Sequence, residues 1–114
     1  MSSVELSKYI ANWQRIVSHI ENGYGLTIYD YINDLDCRHL IQKLIDNELF
    51  DQSIIETIDQ SYLDSTVLIN KSLSTLTMWW YYRIPHYCYE ELYTDLVDFG
   101  IEDDILNRII VIGK

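Results

Sequence analysis

Between Val4 and Ile20 the apolar positions fall at Leu6, Tyr9, Ile10, Trp13, Ile16, Val17 and Ile20, the three-and-four spacing that lines one face of a helix. Ser2 followed by Glu5 predicts a reciprocal cap at its start, and Gly23 supplies a left-handed residue just past its end. Thr27 with Asp30 predicts the next helix start, followed by Ile28, Tyr31, Ile32, Leu35, Leu40, Ile41, Leu44 and Ile45. The jump from Leu35 to Leu40 breaks the period, so the pattern predicts a short helix plus a longer one begun by Asp34 or Asp36, or one bent helix. Asp51 is the expected N-cap of a helix running from Gln52 to about Asn70, with Ile54, Ile55, Ile58, Tyr62 and Ile69 inward and Glu56 and Asp59 outward. The β-branched run around Thr66 and Val67 weakens its second half, because such side chains lose rotamer freedom in a helix.

The segment Leu73 to Ile84, LSTLTMWWYYRI, is rich in strand-favouring aromatics but lacks alternation, leaving helix and strand both open; Pro85 ends it in either case. A lone strand has no evident partner, which favours a buried helix. From His86 to Phe99 the residues Cys88, Tyr89, Leu92, Tyr93, Leu96 and Val97 make one face, with Glu91, Asp95 and Asp98 opposite and Gly100 closing the helix. Glu102, Asp103 and Asp104 open a last helix carrying Ile105, Ile109 and Ile112, where negative charge suits the helix dipole. The expected architecture is all-α: one domain over residues 1–114, a compact bundle of five or six helices.

Composition supports a folded chain, since 48% hydrophobic content with ten Tyr, three Trp and two Phe argues against disorder despite a net charge of −10. Neither a leader with a basic start and an apolar stretch nor a run of about 18 uncharged apolar residues is present, so a cytoplasmic protein without membrane association is expected. Cys37 and Cys88 are read as reduced thiols. Charge changes the picture more. Thirteen of the eighteen acids lie in two blocks without Lys or Arg: Asp46, Glu48, Asp51, Glu56, Asp59 and Asp64, then Glu90, Glu91, Asp95, Asp98, Glu102, Asp103 and Asp104. Such crowding opposes compaction while building a field that draws in cations. It also repels phosphate backbones, which excludes nucleic acid as a ligand.

Glu91 and Asp95 form a like-charge pair one turn apart, and Asp95 and Asp98 sit at the wrong end of the macrodipole. A solvated face kept acidic for solubility is the plain reading; an anionic docking face, merged with Glu56 and Asp59 if the two helices pack side by side, is the functional one. In Trp79-Trp80-Tyr81-Tyr82 four successive rings cannot share one direction, so at least one approaches the surface, and Tyr87 and Tyr89 add interface-prone rings. Cys37-x-His39 and His86-x-Cys88 have the wrong spacing to chelate one metal from a helix, so no metal or other cofactor is expected. Asp34, Asp36, Arg38 and His39 offer acid–base groups but read more simply as a cap and surface ion pairs. Without a phosphate loop or a nucleophile motif, no enzyme activity is expected.

With its acids Glu56, Asp59, Glu91, Asp95 and Asp98 beside Tyr87 and Tyr89, the chain resembles, in type, the bacterial immunity proteins that neutralise nuclease toxins of contact-dependent growth inhibition and of nuclease colicins. The resemblance implies a monomer that binds a cationic toxin nuclease domain one to one, covering its nucleic-acid cleft or an adjacent exosite. Those seven residues are then the expected partner-binding set. Two other readings remain: a phage- or plasmid-encoded nucleic-acid mimic that blocks a host nuclease or DNA-binding protein, and a small scaffolding subunit that dimerises around Trp79 and Trp80.

Overall fold

Two long helices form the frame, α1 (Ser2–Asn22) and α2 (Ile28–Glu48), in a computed structural model that describes residues 2–48 and 50–113; the side chains of 2, 3 and 48 lie outside that description. Gly23, at φ 112°, ends α1 in the left-handed region. Thr27 and Asp30 then make the expected reciprocal cap: Asp30 N–H donates to Thr27 Oγ1 at 3.2 Å, and Thr27 N–H to the Asp30 carboxylate at 3.2 Å. The cap expected from Ser2 at the start of α1 falls on a side chain outside the described residues. α2 continues as one helix through the gap between Leu35 and Leu40, because the positions that break the apolar period hold buried partners of another kind. Arg38 is buried there, and Leu40 is turned to solvent.

Asp51 caps a short 3-10 turn, Gln52–Ile55, by accepting from Ser53 N–H at 3.0 Å. Helix α3 (Glu56–Asp64) follows and packs on α1. It stops well short of residue 70. The β-branched run instead becomes strand β1 (Thr66–Leu68), paired antiparallel with β2 (Arg83–Pro85) in the register Thr66 to Pro85, Val67 to Ile84 and Leu68 to Arg83.

The segment from Leu73 to Ile84 is therefore not a buried helix. Its backbone bonds run across space: Leu73 N–H donates to Tyr81 C=O at 2.9 Å and Ile69 N–H to Tyr82 C=O at 2.8 Å. A 3-10 turn, Trp79–Tyr82, and β2 are held by tyrosine hydroxyls from the helices below. Tyr62 donates to Trp80 C=O at 2.8 Å and Tyr31 to Arg83 C=O at 2.9 Å, satisfying carbonyls that a helix would have used itself.

The helix expected from His86 begins only at α4 (Glu90–Phe99), and Tyr87–Tyr89 before it is strand β3. After Gly100, which caps α4 at φ 92°, the expected last helix shrinks to α5 (Asp103–Leu106). Its tail becomes β4 (Ile110–Ile112), paired parallel with β3 in the register Tyr87 to Ile110, Cys88 to Val111 and Tyr89 to Ile112. The described chain is thus mostly helical with two two-stranded sheets, rather than all-α. Its buried side chains form one continuous core built around Trp13, Tyr31, Leu35, Tyr62, Trp80 and Leu96. Cys37 and Cys88 are both buried free thiols, and no described helix is long and apolar enough to cross a membrane.

Candidate functional site

The most unusual surface starts at β3. Alternation along the strand sends Cys88 inward and leaves Tyr87 38% and Tyr89 42% exposed. β3 is held extended from both sides. Tyr24 N–H donates to Tyr87 C=O and Tyr89 N–H to Tyr24 C=O, both at 3.0 Å, while β4 occupies the other edge. The Tyr87 ring meets His86 edge-on at 4.6 Å. The Tyr89 ring rests against Gly23 and Gly113, where a Cβ on Gly113 would collide with the ring and a Cβ on Gly23 with the Ile112 side chain. These glycines, distant in sequence, seat one tyrosine.

α4 continues directly from Tyr89. Leu92 and Leu96 are buried, which turns Glu91 and Asp98 outward, and among the described residues neither forms an ion pair. Asp95 behaves differently. Its carboxylate accepts from Ile28 N–H at 3.0 Å, so an acid of α4 caps the first turn of α2 from outside that helix. The unfavourable end of α4 is also relieved: Lys71 Nζ donates to Phe99 C=O at 2.8 Å and sits 4.7 Å from the Phe99 ring centroid. The like-charge cost read from the sequence is thus partly offset by groups from elsewhere in the fold. Asp95 and Asp98, with Ile28, Tyr29 and Phe99, line a small cleft of about 190 Å³.

The acids of α3 are not part of this surface in the expected way. Glu56 is exposed beside an open depression of about 640 Å³, lined also by Thr57, Gln60 and Leu63. Asp59, expected outward, is buried. Arg38 donates to it through Nε at 3.0 Å and Nη2 at 2.9 Å, and Trp13 Nε1 donates to it at 3.0 Å. Arg38 itself is only 1% exposed and lies with its guanidinium carbon 4.5 Å from the Trp80 ring centroid. The side-by-side packing that would merge the two acid sets is not the arrangement found, since α3 packs mainly on α1, and α4 on α2, β3 and β4.

The cluster at Asp34, Asp36, Arg38 and His39 disperses around α2 instead of converging. Tyr24 Oη donates to Asp34 at 2.6 Å and Tyr81 Oη to Asp36 at 2.6 Å. Burial pushes both phenols well above their ordinary range, and the carboxylates beside them add to the shift. Burial also raises Asp34, with the Tyr24 hydrogen bond opposing it. Of the four consecutive rings, Trp80 and Tyr81 are buried and Trp79 reaches the surface. Among the described residues no group of three or more His, Cys, Asp or Glu is arranged to hold a metal ion.

No family model, no curated protein and no solved structure matches this chain.

Proposed function

We propose that this chain is an immunity-type inhibitor that binds a cationic partner, a nuclease toxin domain, one to one through the surface formed by β3 and α4. Tyr87 and Tyr89 are its aromatic anchors, and Glu91 and Asp98 meet lysines and arginines that the partner uses on nucleic-acid phosphates. The single observation that carries the reading is this continuity. Two half-exposed tyrosines on a strand lead without a break into a helix whose outward Glu91 and Asp98 form no ion pair among the described residues, on a molecule of net charge −10. Asp59 is withdrawn from the docking set because its charge is consumed by Arg38. Asp95 contributes less than its neighbours because it caps α2. Glu56 stands on a separate helix and is assigned no contact. Association is steered by charge and is therefore fast and salt-sensitive.

The test is to express the C-terminal domain of each reading frame flanking the gene and to assay growth arrest and nuclease activity with and without this chain. The expected result is a flanking nuclease that the chain neutralises, with an association rate that falls at least tenfold between low and high salt. Glu91→Lys with Asp98→Lys should weaken the complex while leaving the fold intact. If neither flanking frame encodes a nuclease that the chain suppresses, the reading fails.

A further inference from the structure

The sheet that carries Tyr87 and Tyr89 is closed on one side and open on the other. Tyr24 fills the free side of β3, which leaves β4 as the open edge among the described residues. Ile110 N–H donates inward to His86 C=O at 2.8 Å, and strand alternation then aims the N–H and C=O of Val111 away from β3. Among the described residues no strand pairs with that edge. At three residues β4 is short, which limits edge pairing, but Ile110-Val111-Ile112 contains no lysine, proline or bulge that would block it. Ile110 is 45% and Val111 37% exposed, and the register sets Ile110 beside Tyr87 on the outer face.

The charge of the segment that carries the strip selects the occupant. From 86 to 114 the chain carries seven acids, among them the exposed Glu91, Asp98, Asp103 and Asp104, against two bases, Arg108 and Lys114. A second copy would bring the same net charge of −10 and is opposed. Resting on the function proposed above, we infer that the outer edge of β4 is the docking strip for an extended, lysine- or arginine-bearing segment of the partner, which adds to the β3–β4 sheet as a further strand. Main-chain hydrogen bonds to Val111 supply the adhesion, the Tyr87, Tyr89 and Ile110 face receives alternate apolar side chains, and the acids of the same segment receive the cationic ones.

The probe is a capped eight-residue peptide alternating lysine and valine, titrated into the full chain labelled with nitrogen-15. Controls are a glutamate–valine peptide and two lysine–valine peptides N-methylated on either alternate set of amides. Expected are amide shifts concentrated at residues 110–113, at least tenfold weaker binding for one methylated peptide, and none for the glutamate peptide. Val111→Pro, checked for an unchanged circular-dichroism spectrum, should also weaken binding at least tenfold. Equal binding by all three lysine peptides would overturn strand addition while leaving the charge-based reading standing. Equal binding by the glutamate peptide would overturn the cationic partner as well. No binding by any of them would overturn the strip.

Discussion

Replacing Asp59 by alanine should cost more stability than removing any exposed acid of the chain. The substitution leaves the Arg38 guanidinium, 1% exposed and held against Trp80, without its counter-charge. Breaking a buried pair from one side costs about 3–5 kcal/mol, and the Trp13 Nε1–H also loses its acceptor. The Asp59 side chain keeps 12% of its exposure, so the lower part of that range applies, about 3 kcal/mol. With a urea slope of roughly 1–3 kcal/mol per molar, the midpoint falls by about 1–3 M. Urea unfolding followed by tryptophan fluorescence reads this directly, because Trp13 and Trp80 flank the pair. The double variant Arg38→Met with Asp59→Leu should recover most of the loss, since it removes both charges together. A midpoint change in Asp59→Ala worth less than about 1 kcal/mol would refute the reasoning and return Asp59 to the candidate docking acids.

Asp95→Ala should lower stability by about 1–2 kcal/mol through loss of its cap on Ile28, whereas Asp98→Ala should stay within about 0.5 kcal/mol; equal thermal shifts would refute the division of labour along α4. The chain should also unfold cooperatively in alkali. Tyr24, Tyr31, Tyr62 and Tyr81 all have hydroxyls raised above the ordinary 10.0, and burial pushes the Cys88 thiol from 9.0 to about 11. A raised folded-state value means the unfolded chain releases its protons first, so stability is full below about pH 9 and falls above it, by about 1.4 kcal/mol per pH unit for each group past its unfolded value. Tyrosinate absorbance followed alongside circular dichroism should show four of the ten tyrosines ionising only with loss of structure, and ten free titrations in a folded chain would contradict the burial.

The helices that sequence revealed are those whose signals are local. The face running from Leu6 to Ile20, the Thr27–Asp30 reciprocal cap, the Asp51 cap and the Gly100 terminus all depend on residues within a turn or two of each other. The four strands were hidden because each is three residues long and is defined by a partner elsewhere, as Val67 is by Ile84 and Cys88 by Val111. Ile110 and Ile112 read as the tail of a helix until Tyr87 and Tyr89 are seen alongside them. The Arg38–Asp59 pair does have a signature in the sequence. Asp59 falls between Ile55 and Tyr62 on the buried stripe of α3, and Arg38 falls between Leu35 and Ile41 on that of α2. Opposite charges on two inward stripes announce a buried ion pair. Nothing local marked Asp95 as a cap or Tyr89 as the centre of a glycine-lined seat, since those roles come from Ile28, Gly23 and Gly113, all far along the chain from the residues they serve.

The seat of Tyr89 bears on how long a visitor would stay. A tyrosine waving in solvent has to be immobilised when something lands on it, at about 0.5–1.5 kcal/mol for a rotamer-rich side chain. This ring already lies against Gly23 and Gly113 while the residue stays 42% exposed. A molecule settling on the exposed part meets a preorganised plate, and the entropy it need not surrender would appear as slower departure and a longer residence time.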